Sequence, residues 1–466
     1  MNNILLVPSS GKGAYRSTRP LQSIVHLKRA LKRSGLDVET IDRQAEDLEG
    51  TVAKIASIKP RALGISSTSH EWRETLELCR RAREVSPNSL IILGGYISIV
   101  PEIMEMCRDI DILFRGEGEI RAPEVFRAAL QSPLSGSLST LFRTCDYEKI
   151  PGLIIRAADR LIDTGVAPRI RDIDDFVPEA DDLIWIENRK IAFVYTSRGC
   201  YAKCKFCNII EHMPNGIVSL SEERVNRLIE ELAGKGVSVV HFFDDEFLYK
   251  RGSLGRLDQI GPALRKNNIK IWIQTRVQDI RRNIEEILRW KDVIRAVEMG
   301  VESFSDSQLK RWTKGTSKRA NLEAIDLLSR NGIEYRAYMI WVDRYTDYPE
   351  LMETTEEYVK IPGVQPDVPY CLGTTNDFYV KPTGYTDRWG DAKLEPEHLE
   401  FIDRHNRINE LRLARAVNRV RGDARREIIT RAKNTHILNA QAFADQKRVD
   451  EFEEEFRRLR EITGFD

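Results

Sequence analysis

The stretch Cys200-Tyr201-Ala202-Lys203-Cys204-Lys205-Phe206-Cys207 puts three of the chain's seven cysteines within eight residues. Random scattering of seven cysteines over 466 residues gives such a run on the order of 0.002 times. Thiolates clustered in this way point to a metal in a reducing compartment. A zinc site normally closes with four ligands in paired Cys or Cys/His groups. Here the run is three and no second cluster follows. His212 is the nearby candidate for a fourth zinc ligand. Three cysteines on a loop after a strand suit a [4Fe–4S] cluster with one open iron, to which a substrate can coordinate. Cys79, Cys107, Cys145 and Cys371 stand apart and read as buried structural thiols.

Outward from the cysteines, a strand at Ile191–Tyr195 ends in Thr196-Ser197-Arg198-Gly199 just ahead of the loop. Further strands are expected at Val237–Phe243, Ile271–Gln274, Ala296–Val301, Glu334–Val342 and Asp367–Leu372, with helical patterns between them. Val225, Leu228, Ile229 and Leu232 form one apolar helical stripe, and Ser219 with Glu222 fits a capping box. Six βα-like units predict a partial (β/α)6 barrel. Upstream, strands at Ile4–Val7, Val38–Ile41, Arg61–Ile65, Leu90–Leu93 and Ile112–Phe114 alternate with helices, one of them closed by Ser34-Gly35. That alternation predicts an α/β doubly wound parallel sheet. Its strand ends carry Ser66-Ser67-Thr68-Ser69, Gly94-Gly95 and Arg115-Gly116-Glu117-Gly118-Glu119, where a ligand can approach the backbone. Pro151-Gly152 and Leu153–Arg156 suggest a hairpin, and acidic Asp172–Asp182 a linker. The tail is helical and charge-rich. The expected divisions are therefore 1–135, 136–187, 188–380 and 381–466.

Composition narrows the class. Lys and Arg number 72, as do Asp and Glu, so a polyanion-coating role is disfavoured and no nucleic-acid partner is expected. Sparse cysteine excludes a disulfide scaffold. No apolar run approaches the ~20 residues of a membrane span. The start, Met1-Asn2-Asn3, lacks a basic n-region and leads into a strand, so a cytoplasmic chain is expected.

The spacing C-x3-C-x2-C, with Phe206 before the third cysteine, resembles the hallmark of the radical S-adenosylmethionine (SAM) superfamily. The resemblance continues downstream. Phe242-Phe243-Asp244-Asp245-Glu246-Phe247 looks like the strand end that lies against the methionine amino group in these enzymes. Gln274-Thr275-Arg276 matches a strand end that helps hold SAM. Gly300-Val301-Glu302-Ser303 looks like the strand end beside the ribose, and Lys314-Gly315 like the turn that follows. The N-terminal part resembles the cobalamin-binding domain found before many radical SAM domains. That likeness rests on Pro20-Leu21, Gly35, Gly94-Gly95, Arg115-Gly116-Glu117-Gly118-Glu119, Ile150-Pro151-Gly152-Leu153, Asp172–Asp175 and Pro178. Ser66, Ser67, Thr68, Gly94, Gly95 and Gly116 are then candidates for the nucleotide tail and corrin edge. The loop Ser9–Pro20 contains no histidine, so none from it ligates cobalt. His26 reads as a partly buried helix residue.

The resemblance implies a cluster on Cys200, Cys204 and Cys207 that chelates and cleaves SAM, giving a 5′-deoxyadenosyl radical. With cobalamin bound, methylation of an unactivated carbon of a small molecule or natural-product intermediate is expected. Without it, dehydration, rearrangement or epimerisation is expected. An elimination needs a general acid or base, and Tyr338, Asp343, Tyr370 and Asp377 are the candidates near late strand ends. An electron donor such as flavodoxin or ferredoxin is implied. The reading from another class is a non-catalytic iron–sulfur or zinc-binding module.

Overall fold

The computed structural model describes residues 4–361 apart from 10–21, 42–45, 69–71, 132–146, 250–254, 343–347 and several single or paired positions; beyond them it describes 372–374, 454 and 457. The described residues fall into two compact units. One takes in 4–199 and 209–238, the other 200–207, 239–361 and 372–374. Asp343, Tyr370, Asp377, His212, Cys145, Cys371, Pro20-Leu21, most of the strand expected at Asp367–Leu372 and nearly all of 381–466 lie outside the described residues.

The first unit is built on β1 (Ile4–Pro8), β2 (Glu39–Thr40), β3 (Ala62–Ser66), β4 (Leu90–Gly94), β5 (Ile112–Phe114), β6 (Leu153–Ala157) and β7 (Arg160–Asp163). Their order is β2-β1-β3-β4-β5-β6-β7. Pairing is parallel through β5, then antiparallel where the β6–β7 hairpin joins. Ile4 to Val7 are all buried. Such unbroken aliphatic runs are what a parallel sheet covered on both faces requires. The helix Gln22–Arg33 buries Ile24, Ala30 and Leu31 in the core. It stops where Gly35, at φ +73°, lets Leu36 N bond back to Leu31 O at 3.0 Å. The strand order reverses at β1, so the crevice for a ligand opens where the ends of β1 and β3 meet. There Ser9 N donates to Ser66 O at 2.9 Å. The unit also holds β8 (Ile191–Val194) and the antiparallel pair β9 (Ser197–Arg198) and β10 (Val218–Ser219).

Ser219 does not cap the following helix. It pairs with Ser197 in β10, and Ser221 takes the cap instead, its hydroxyl accepting from Arg224 N at 3.2 Å. The stripe Val225, Leu228, Ile229 and Leu232 is buried as expected.

In the second unit β11 (Val239–Phe242), β12 (Lys270–Arg276), β13 (Ile294–Glu302), β14 (Tyr335–Val342) and β15 (Leu372–Thr374) pair in chain order, each pair parallel and each strand returned by helical segments. One face of β12 is aliphatic, with Ile271 and Ile273 fully buried. The other face carries Trp272, Gln274 and Arg276. Register places Arg276, Gly300 and Tyr338 in one cross-strand row, and Gln274, Glu298 and Arg336 in the next.

Candidate active site

Cys200, Cys204 and Cys207 are not disulfide-bonded, Cys204 buried and the others partly so. Gly199, at φ +93°, leads into them. A Cβ there would stand 2.3 Å from Gly216 O, so only glycine fits. The loop is seated on the turn at 312–315. Lys205 N donates to Trp312 O at 2.9 Å. Phe206 meets the buried Trp312 ring edge-on, centroids 5.7 Å apart, and Lys314 Nζ stands 5.5 Å from the Phe206 centroid. Tyr201 OH donates to Asp279 Oδ2. Burial pushes the Cys200 thiol up to about 11.

Arg276 binds this loop directly. Its Nη1 donates to Cys204 Sγ at 3.1 Å and its Nη2 to Lys314 O. Its Nε is buried and makes no hydrogen bond among the described residues. Three thiols on one loop, with a buried guanidinium that still has a donor to spare, fit an anionic iron–sulfur group. No three His, Cys, Asp or Glu side chains converge as ligands of a single metal ion among the described residues. A cubane does not require that convergence, because its cysteines bind three different irons.

The expected SAM-holding strand ends stand around the same loop. Asp244 is buried and Asp245 partly so. Glu246 is held by the backbone: Leu248 N donates to its Oε1 at 3.0 Å and Arg276 N to its Oε2 at 2.8 Å, with Thr275 Oγ1 also donating. Burial and the nearby Asp279 raise its carboxyl to about 8. The Gln274 carbonyl accepts from Phe247 N at 2.9 Å. Glu302 sits at φ +67°, a strained conformation for a glutamate, and Lys314 Nζ donates to its Oε1 at 2.7 Å. A Cβ on Gly300 would lie 2.4 Å from Glu302 Oε1 and 2.6 Å from Lys314 Nζ, so the glycine makes room for this pair. Ser303 faces inward, its hydroxyl bonded to Gln308 Oε1 at 2.5 Å and Thr354 Oγ1 at 2.8 Å.

Sequence reasoning singled out Tyr338 alone among a polar group on the same sheet face. Tyr338 OH donates to Glu298 Oε2 at 2.7 Å, Arg336 Nη1 to Oε1 at 3.0 Å, and His241 Nε2 lies 3.2 Å from Oε2. Burial would raise Glu298; the bonds and charges of His241, Arg336 and Tyr338 hold it at about 2 instead. Arg336 lies over the Trp272 ring at 4.2 Å, and His241 stacks on Phe243 at 4.3 Å. Only the period-two alternation of the strands could have shown that these residues share a face.

In the first unit the crevice edge is lined by small groups. Ser66 Oγ bonds Ser23 Oγ at 2.7 Å, and Ser67 Oγ is buried against Thr75 Oγ1 at 2.6 Å. Thr68 is partly buried, and Gly94 O accepts from Ser67 N at 3.0 Å. Gly95, at φ +85°, is required by its own chain, since a Cβ would stand 2.6 Å from Ser67 O. Gly116 sits at φ +77°, and a Cβ there would be in ordinary contact with Ala167 Cβ at 3.7 Å. No side chain larger than threonine rises from 66–68, 94–95 or 116, which fits a flat ligand and its tail.

Beside Gly116 the chain builds a buried charged network that the sequence reading missed. Arg198 Nη1 donates to Glu119 Oε1 at 2.6 Å and to Glu117 Oε1 at 3.3 Å. Arg169 Nε and Ile170 N donate to Glu117 Oε2 at 3.1 and 2.9 Å. Arg198 Nη2 donates to His26 Nδ1 at 2.8 Å. His26 is thus a buried acceptor of the network rather than a partly buried helix residue, 6% exposed, and burial with the Arg198 charge lowers it to about 3.

Residues 20–126 match the B12 binding domain family model and 194–381 that of the radical SAM superfamily. The chain carries a B12-binding domain and a radical SAM domain. The cofactor set of these two domains is a [4Fe–4S] cluster, SAM and cobalamin. Curated relatives include an anaerobic magnesium-protoporphyrin IX monomethyl ester cyclase of Cereibacter sphaeroides, 25% identical over 77% of this chain and 59% of its own, and a hopanoid C-3 methylase of Methylococcus capsulatus, 23% identical over 65% and 57%. The chain thus spans about three-fifths of their length. Among solved structures, the cobalamin-dependent SAM radical enzyme OxsB, with aqua-cobalamin and SAM bound, superposes with TM-score 0.63 at 20% identity over 86% of this chain and 56% of its own. The radical SAM methyltransferase TsrM from Kitasatospora setae gives 0.59 at 17% identity over 78% and 73%. Both share the fold. No helix among the described residues is long and apolar enough to cross a membrane.

Proposed function

We propose that this chain is a cobalamin-dependent radical SAM enzyme that methylates an unactivated carbon of a small molecule. The observation that carries the reading is the cysteine loop clamped by Arg276 and the 312–315 turn, in a chain that also builds a small-residue crevice at the switch point of a B12-type sheet. Bound there, the cluster and SAM supply a 5′-deoxyadenosyl radical and cobalamin supplies a methyl group. Cys200, Cys204 and Cys207 would hold the cluster. Asp244, Asp245, Glu246, Gln274, Glu302 and Ser303 shape the SAM cradle, several of them by fixing its backbone rather than by touching the ligand. Phe206 packs the loop. Ser66, Thr68, Gly94, Gly95 and Gly116 line the crevice for cobalamin. A cytoplasmic setting and a flavodoxin- or ferredoxin-type electron donor go with this chemistry.

The names of the relatives divide between a methylase and a cyclase, which supports the shared radical chemistry more than one outcome. The Tyr338–Glu298–His241 group supports the second reading, a radical elimination or rearrangement in which a side chain moves a proton. Anaerobic reconstitution with iron, sulfide and hydroxocobalamin, then dithionite and SAM, tests the proposal. 5′-Deoxyadenosine above the level of Cys204→Ala, with about one cobalt per chain, is expected. No nucleoside above that control sinks the enzyme reading. Nucleoside without retained cobalt moves the assignment to elimination or rearrangement.

A further inference from the structure

We infer that Arg276 acts on the cluster itself, as a positioning and redox-tuning residue, and not as a ligand of the SAM carboxylate; this rests on the cluster reading above. Its side chain is 9% exposed and its contacts are specific. Nη1 donates to Cys204 Sγ, Nη2 donates to the Lys314 carbonyl, and the backbone N donates to Glu246 Oε2. The side chain is thereby fixed at both ends, its fork aimed at sulfur. The Nε–H is buried and makes no hydrogen bond among the described residues, which leaves it to a further acceptor at the same place, such as a cluster sulfide. An arginine side chain keeps its positive charge inside a protein.

The electrostatic consequence has a fixed sign. One-electron reduction adds one negative charge to the cluster, with the electron coming from a low-potential one-electron donor and no bond made or broken. A buried positive charge and an N–H on the thiolate sulfur both favour the reduced state more than the oxidised one. Arg276 therefore raises the potential of the cluster and makes it easier to charge.

The test is an anaerobic potentiometric titration followed by electron paramagnetic resonance, without SAM, on reconstituted wild type, Arg276→Met and Arg276→Lys. Expected are iron and sulfide contents near wild type, a midpoint displaced to more negative potential in Arg276→Met, and a smaller displacement in Arg276→Lys, which keeps charge but not the fork. Full iron content with unchanged midpoints overturns the inference. So does an unchanged midpoint with weakened SAM binding, which would make Arg276 a SAM ligand. If both variants lose iron, an unaltered apo-protein melting temperature supports the positioning role and a lowered one overturns it. A wild-type protein that takes up no four-iron cluster sinks the underlying reading and is seen before any variant is made.

Discussion

His26 shows how one side chain ties pH to stability. It is buried against Arg198, and that guanidinium needs its Nδ1 lone pair. Folded, it titrates near 3; unfolded, near 6.5. The folded pKa is depressed, so the unfolded chain takes up the proton first as acid is added. The contribution is fully present above about 6.5 and is lost as pH falls from there towards 3, at up to roughly 1.4 kcal/mol per pH unit. Denaturant unfolding of wild type and His26→Gln at pH 7.5 and pH 5.5 checks this. The wild type is expected to lose about 1–1.5 kcal/mol more than the variant over that interval. Equal losses would mean the ring is protonated when folded and the Arg198 contact is misassigned. The histidine's position in a helix was legible in the sequence; its neutrality was not, because it comes from burial and from an arginine 172 residues away.

The same distance argument separates what elements reveal from what they hide. Parallel strands such as Ile4–Pro8 and Leu90–Gly94 are buried on both faces and declare themselves as aliphatic runs. The helix Leu48–Ile58, with Gly50 in its first turn and an Asp47 cap, gives a weaker signal, and the alternation implied it without its bounds. The cysteine loop was legible because its three cysteines lie within eight residues. The loop Arg115-Gly116-Glu117-Gly118-Glu119 was legible as a strand end whose backbone a ligand can approach. Its two glutamates instead grip Arg198 on β9, two residues before Cys200. Removing that arginine takes the ion-pair partner from buried Glu119 and leaves Glu117 with Arg169 Nε and Ile170 N. Arg198→Met is therefore expected to cost roughly 3–5 kcal/mol. The double variant Arg198→Met with Glu119→Gln should recover a measurable part, since it removes one orphaned charge. Denaturant midpoints of the two variants decide the point. A double variant no better than the single would show that the arginine acts by packing rather than charge.

At the scale of the molecule, the described residues form two compact units, and the chain passes between them more than once. It leaves the first unit at residue 200, places the cysteines in the second, and returns by 209 to build the rest of the first. Each unit nevertheless has its own aliphatic core, and each candidate cofactor site draws its side chains from one unit. The two sites should therefore lose their cofactors separately. Cys204→Ala removes the sulfur that Arg276 holds and changes nothing at Ser66, Gly94 or Gly116. After reconstitution it is expected to lack iron and to keep cobalamin at the wild-type ratio of cobalt to chain. Hydroxocobalamin should also stabilise the first unit equally in both proteins, by about 2.7 kcal/mol at a free concentration one hundred times its Kd. Metal analysis and hydrogen exchange of the β1, β3 and β4 amides measure the two quantities. Loss of cobalt along with iron would mean that cobalamin retention depends on an assembled cluster loop, and that the first unit alone does not make the site.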